Sequence, residues 1–128
     1  PITRAEFATV CARFDHSSVE SDKSFFDIHG HWAETFIEHA AALGWVNGYM
    51  DGTFRPNATI TRAEAMAMIN RVLGRLPESE KDLLPGMKTW PDNADPSAWY
   101  YLIIQEATNG HTFERKADGV HERWIKLK

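Results

Sequence analysis

Two arginines stand where an anion would be received. Arg4 and Arg62 each follow a threonine and precede Ala-Glu, first in Ile2-Thr3-Arg4-Ala5-Glu6-Phe7 and again, 58 residues later, in Ile60-Thr61-Arg62-Ala63-Glu64-Ala65. Thr-x-x-Glu is a helix-start signal: the threonine side chain accepts from a free N–H of the first turn, and the glutamate reaches back to the threonine N–H. The arginine then falls at the first helical position, beside unpaired N–H groups and the positive end of the helix dipole. That is a seat for a carboxylate or another anion. The bland alternative is a surface arginine paired with a nearby glutamate, an arrangement that contributes little.

Trp32 and Trp99 are the stacking candidates, since an indole at the head of an amphipathic segment either packs inward or offers a flat face to a ligand. Gly30, two residues before Trp32, would let a ligand approach the backbone. Asp27 either accepts from ligand hydroxyls or, the favoured reading, caps the helix that opens near Gly30. The turns expected at Asn47-Gly48 and Asp51-Gly52 assign positive φ to both glycines. Other chemistries fit poorly. Asp51 to Glu64 fails as a calcium loop because position 12 falls on Arg62. His29, His31 and His39 lack both a His-Glu-x-x-His spacing and a second cysteine, so no metal and no cofactor is expected. Asp27 and Asp51 have no defined separation across a cleft, so no enzyme is expected either.

The elements that carry these residues repeat. The stretch from Thr3 to Phe14 puts Phe7, Val10, Cys11 and Phe14 at helical spacing, and Thr61 to Leu73 aligns with it. A second helix, opened at His29-Gly30-His31-Trp32, carries Phe36, Ile37, Ala40 and Leu43 and closes at Gly44. Setting Trp99 on Trp32 aligns Ile104 with Ile37 and Ala107 with Ala40, which marks another copy of that helix. This third unit then diverges. It lacks Thr-Arg-Ala-Glu, Asp118-Gly119 between Phe113 and Trp124 predicts a terminal hairpin, and Arg115 or Lys116 is the substitute cation.

The 128 residues, 43% hydrophobic and 25% charged, have an ordinary globular composition. A net charge of −4 with scattered Lys and Arg argues against nucleic acid, and no apolar run reaches the roughly 20 residues of a membrane span. The lone Cys11 excludes an internal disulfide and reads as a small buried hydrophobe. No signal peptide is visible, but the chain begins inside a repeat, so that absence carries no information.

The string from Phe26-x-Asp through His31-Trp32, Gly48-Tyr-x-Asp-Gly-Thr-Phe-x-Pro and Ile60-Thr-Arg-Ala-Glu resembles the S-layer homology (SLH) domain family. On that resemblance, residues 1–24 are the end of a first repeat, 25–75 a complete second repeat, 76–89 a linker and 90–128 a divergent third repeat. The resemblance implies a mainly α fold of helical repeats packed as a pseudo-threefold bundle, here with a C-terminal hairpin. It further implies a non-catalytic, extracellular anchor at the bacterial cell wall that binds secondary cell-wall polysaccharide, often pyruvylated. The ligand-binding candidates are then Arg4, Arg62, Trp32, Trp99, Gly30, Asp27 and Arg115, with Arg4 expected to face a groove lined by Trp32, and Arg62 one lined by Trp99. The alternative is a structural module that assembles a surface layer, or self-associates, through its exposed aromatics.

Overall fold

The computed structural model describes residues 1–17 and 24–128. The polar linker expected from Asp15 to Ser24 therefore lies largely outside the described residues. Among those described, the order is α1 (Arg4–Ala12), α2 (Glu34–Ala42), α3 (Arg62–Leu73), α4 (Tyr101–Thr108), β1 (His111–Arg115) and β2 (Glu122–Leu127), with single 3-10 turns at Glu80–Asp82 and Pro91–Asn93. No described helix is long and apolar enough to cross a membrane. The chain divides into two compact units, residues 1–69 and 70–128.

In the first unit both capping boxes form. Glu6 N–H donates to Thr3 Oγ1 at 3.1 Å and Thr3 N–H to Glu6 Oε1 at 2.9 Å; Thr61 and Glu64 make the same pair of bonds at 3.1 and 3.0 Å. The starts of α1 and α3 lie together. Thr3 and Thr59 form an antiparallel bridge, Arg4 and Ala5 donate to the carbonyls of Ala58 and Pro56, and Ile60 donates to Ile2.

The buried face of α1 differs from the expected one. Ala5, Ala8, Cys11 and Ala12 are buried, whereas Val10 and Phe14 are exposed. On α3 Met68 is buried and Ile69 exposed. Small side chains let α1 lie close against α2, which contributes Ile37, Ala40 and Ala41 to the core. The burial of Cys11 raises its thiol pKa, as a desolvated thiolate requires.

α2 starts at Glu34 and α4 at Tyr101, each two residues after its tryptophan. Between α2 and α3 there are no strands. The chain turns at Met50-Asp51, with Gly52 donating to the Tyr49 carbonyl and Tyr49 to that of Thr53, and again at Pro56-Asn57, with Ala58 donating to the Arg55 carbonyl. Gly52 has φ +86°, as expected, but Gly48 does not owe its identity to φ: a Cβ there would meet the Phe25 ring at 2.3 Å and the Thr53 oxygen at 2.6 Å.

In the second unit β1 and β2 form the expected antiparallel hairpin, with Phe113 opposite Trp124 and Gly119 in the turn at φ +72°. Its core joins Trp124 to Leu83 and Tyr101. Ile104 is buried like Ile37, but Ala107 is exposed where Ala40 is buried.

Candidate loop and aromatic site

The loop from Phe25 to Trp32 is held by fixed partners. Phe25 packs on the fully buried Phe54 with ring centroids 5.4 Å apart. Asp27 does not cap α2. Its carboxylate accepts from the N–H groups of Phe54 and Arg55, both at 2.8 Å, so one acid ties two loops together. Arg55 sits at φ +58° under that grip, a conformation that costs a non-glycine residue about 1 kcal/mol.

Gly30 has φ +78° and nothing within 4 Å of where a Cβ would stand, so its approach is open while its conformation alone accounts for the glycine. Its N–H donates to Glu34 Oε1 at 3.3 Å, and His29 bonds Glu34 at 3.1 Å. Ala33 N–H donates to His31 Nδ1 at 3.1 Å, which leaves the proton on Nε2 to bond Asn57 Oδ1 at 2.8 Å. His39 bonds Asp15 at 2.9 Å. Trp32, following this pinned backbone, is 62% exposed.

Arg4 is not on an open groove. It is 3% exposed and pairs with Glu64, the acid of the second capping box. Its Nε donates to the Phe54 carbonyl at 2.8 Å, and its guanidinium lies 4.8 Å from the Tyr49 ring and 4.6 Å from the Phe54 ring. An unpaired guanidinium could not be buried here, so the pairing and the burial come together. Tyr49 OH donates to the same Glu64 oxygen at 2.7 Å. Burial pushes the Glu64 carboxyl up, but bonds from Thr61, Tyr49 and Arg4 outweigh it and hold the group below the ordinary carboxylate range. Arg62, in the matching position of α3, is exposed.

Arg55 also lies over the Tyr49 ring, its guanidinium 3.8 Å from the ring centroid and 3.3 Å from Asp51. It is half exposed. A separate cleft of about 510 Å³ opens beside the C-terminal end of α1, where Arg13 lies 5.5 Å from the Phe36 ring near Asp15, His16 and His39.

In the second unit Trp99 is 64% exposed, edge-on to Tyr100 at 5.6 Å. The substitute cations are already engaged. Arg115 donates to the carbonyls of Gly74 and Val120 at 2.6 and 3.0 Å, and Lys116 pairs with Glu78 and Asp82 at 3.0 and 2.8 Å. Two groups of side chains bring metal-ligand atoms together, Glu78, Asp118 and His121 at the surface and Glu106, His111 and Glu122 in the interior. In the first, the Asp118 carboxylate accepts from the N–H groups of Val120 and His121 within the turn. In the second, the Arg75 guanidinium already supplies the positive charge.

Against this geometry, residues 24–66 match the S-layer homology domain. The chain belongs to that family. It is 36% identical, over 98% of its length, to cell surface glycoprotein 1 of Acetivibrio thermocellus, and 38% identical over 92% to the cellulosome-anchoring protein of the same organism. Outer membrane protein SlpA of Thermus thermophilus is 44% identical over 41% of the chain. The chain spans only 6%, 26% and 6% of these three proteins.

Within this S-layer homology domain the exposed pair Trp32 and Trp99 comes from the sequence pattern. Arg55 and Arg13 were not among the sequence candidates. A signal for Arg55 exists in the Asp-Gly-Thr-Phe-Arg-Pro run, where the residue leaving a tight turn before a proline is conformationally restricted. Arg13 and Phe36 are brought together only by helix packing.

Proposed function

We propose that this S-layer homology module is a non-catalytic anchor that holds a protein at a bacterial cell surface by binding an anionic, pyruvylated secondary cell-wall polysaccharide. The observation that carries this reading is the matched exposure of Trp32 and Trp99. Each stands two residues before its helix, and each remains more than 60% exposed in a chain with enough core to bury an indole. A sugar ring presents an apolar face to such a platform. Arg62 and Arg55 are the cations offered to the pyruvate carboxylate, with Gly30 leaving the backbone approachable. Asp27 supports the site by fixing the Arg55 backbone, and Arg4 does so from within the core. Arg115, partly committed to backbone carbonyls, plays the weaker part in the third repeat. The repeats pack in this reading as a pseudo-threefold bundle with the boundaries 1–24, 25–75 and 90–128.

A second reading, assembly through protein contacts, draws on the exposed Val10 and Phe14 of α1. The two are separated by measuring binding to purified cell-wall polysaccharide before and after chemical removal of pyruvate. Loss of binding with the pyruvate supports the anchor. Concentration-dependent oligomerisation with no glycan affinity supports assembly and refutes it.

A further inference from the structure

Three buried titratable groups of the second unit meet at one point. Glu106 on α4, His111 on β1 and Glu122 on β2 are 6%, 7% and 0% exposed. His111 Nδ1 lies 2.6 Å from the Asn109 carbonyl oxygen, which can only accept, so that nitrogen carries a proton. Its Nε2 lies 2.9 Å from Glu106 Oε2 and 2.9 Å from Glu122 Oε2. Arg75, just beyond α3, closes the group: Nε donates to Glu122 Oε1, and Nη2 stands 3.1 Å from His111 Nε2 and 3.5 Å from Glu106 Oε2. The Trp124 indole N–H donates to Glu106 Oε1 at 3.3 Å, and the Trp124 ring stacks on His111 at 4.1 Å.

Two carboxylates closing on one ring nitrogen out of water disfavour each other's ionised form. Burial, together with the bond and charge of Glu122, pushes Glu106 up to about 8. Burial also pushes Glu122 up, but bonds from Arg75, Glu106 and His111 outweigh it and hold that group down. The groups facing Glu106 are thus Glu122 from β2, His111 from β1 and Arg75 from the segment after α3.

We propose that this network is a proton-operated latch, in which the proton held by Glu106 keeps the C-terminal hairpin closed on α4 and its loss at alkaline pH loosens the hairpin. Two moorings beside it, the Glu122 N–H to the Leu76 carbonyl and the packing of Trp124 on Leu83 and Tyr101, do not titrate, while at the turn end of the hairpin Lys116 pairs with Glu78 and Asp82. The sign follows from linkage. An opened hairpin exposes Glu106 to water at its ordinary value near 4.5, so between that value and about 8 opening releases a proton and rising pH favours it. Glu122 acts in the opposite sense below its ordinary value, so the latch is tightest in mildly acidic medium.

The test is a carbon-13 carboxyl titration of the whole chain by NMR, with amide exchange protection of residues 111–115 and 122–127 followed from pH 5 to 9. One glutamate is expected to titrate far above the roughly 4.3 of a free side chain. Hairpin protection should fall by up to about tenfold per pH unit below that midpoint. Glu106→Gln should abolish the slope. The latch is refuted if every glutamate titrates in the ordinary range, if protection is flat with pH, or if the slope survives in Glu106→Gln. Should that variant not fold, the wild-type titration and protection profile decide by themselves.

Discussion

Replacing Glu64 by Gln and, separately, Glu6 by Gln makes the same chemical change in two identical Ile-Thr-Arg-Ala-Glu frames. Glutamine still serves at the third position of a capping box, so both helix starts survive. The surroundings decide the difference. Glu6 bonds only Thr3 and is exposed, so its replacement should leave stability within error. Glu64 is the counter-ion of Arg4, which is 3% exposed, and removing one partner of a buried pair costs about 3–5 kcal/mol. Arg4 keeps the Phe54 and Asn47 carbonyls and two ring faces, which places the loss near the lower end, at about 3 kcal/mol. Cys11 supplies the assay. It is the single cysteine and is 3% exposed, so an aromatic disulfide reagent reaches it only when the first unit opens. Labelling in native buffer should be about 100-fold faster or more in Glu64→Gln and unchanged in Glu6→Gln. Equal rates in the two variants, or an acceleration below about fivefold for Glu64→Gln, would refute the buried-pair account.

Trp32→Ala and Trp99→Ala should each weaken polysaccharide binding in calorimetry while the melting temperature holds, since neither indole is part of a core; a fall in melting temperature with intact affinity would make them packing residues. Asp27→Ala should cost about 2 kcal/mol in urea unfolding, because two loop N–H groups lose a charged acceptor, whereas Asp27→Asn should recover part of that. Gly48→Ala should lower the melting temperature more than Gly30→Ala, since the first meets the Phe25 ring and a carbonyl while the second meets only an unfavourable φ; the reverse order would contradict the close packing of Phe25. Arg62→Ala should weaken binding of the pyruvylated glycan by about 1.5–3 kcal/mol, with partial recovery in Arg62→Lys, and a variant that unfolds with its affinity per folded molecule unchanged would make Arg62 structural.

Local signals were read well where the side chain and its partner are neighbours in sequence. Both capping boxes, the helices after Trp32 and Trp99, and the hairpin at Asp118-Gly119 all depend on residues within a few positions of each other. Burial was read less well. Helical spacing favours large apolar residues, which selected Val10 and Phe14, but a close helix pair buries the alanines instead. Two identical Thr-Arg-Ala-Glu strings could not foretell that Arg4 is buried and Arg62 exposed, because the difference lies in what approaches from elsewhere in the chain. Glu106 and Glu122 lie on different elements, and only the hairpin's return brings them together.

The Arg4–Glu64 pair joins the arginine of one copy of the hexapeptide to the acid of the next. The period of the sequence and the period of the folded joint are therefore out of phase: this joint takes its cation from the first copy of the motif and its anion from the second. An array built this way can lengthen by duplicating whole repeats without designing a new interface, because every inserted copy arrives with an acid for the repeat before it and a cation for the repeat after.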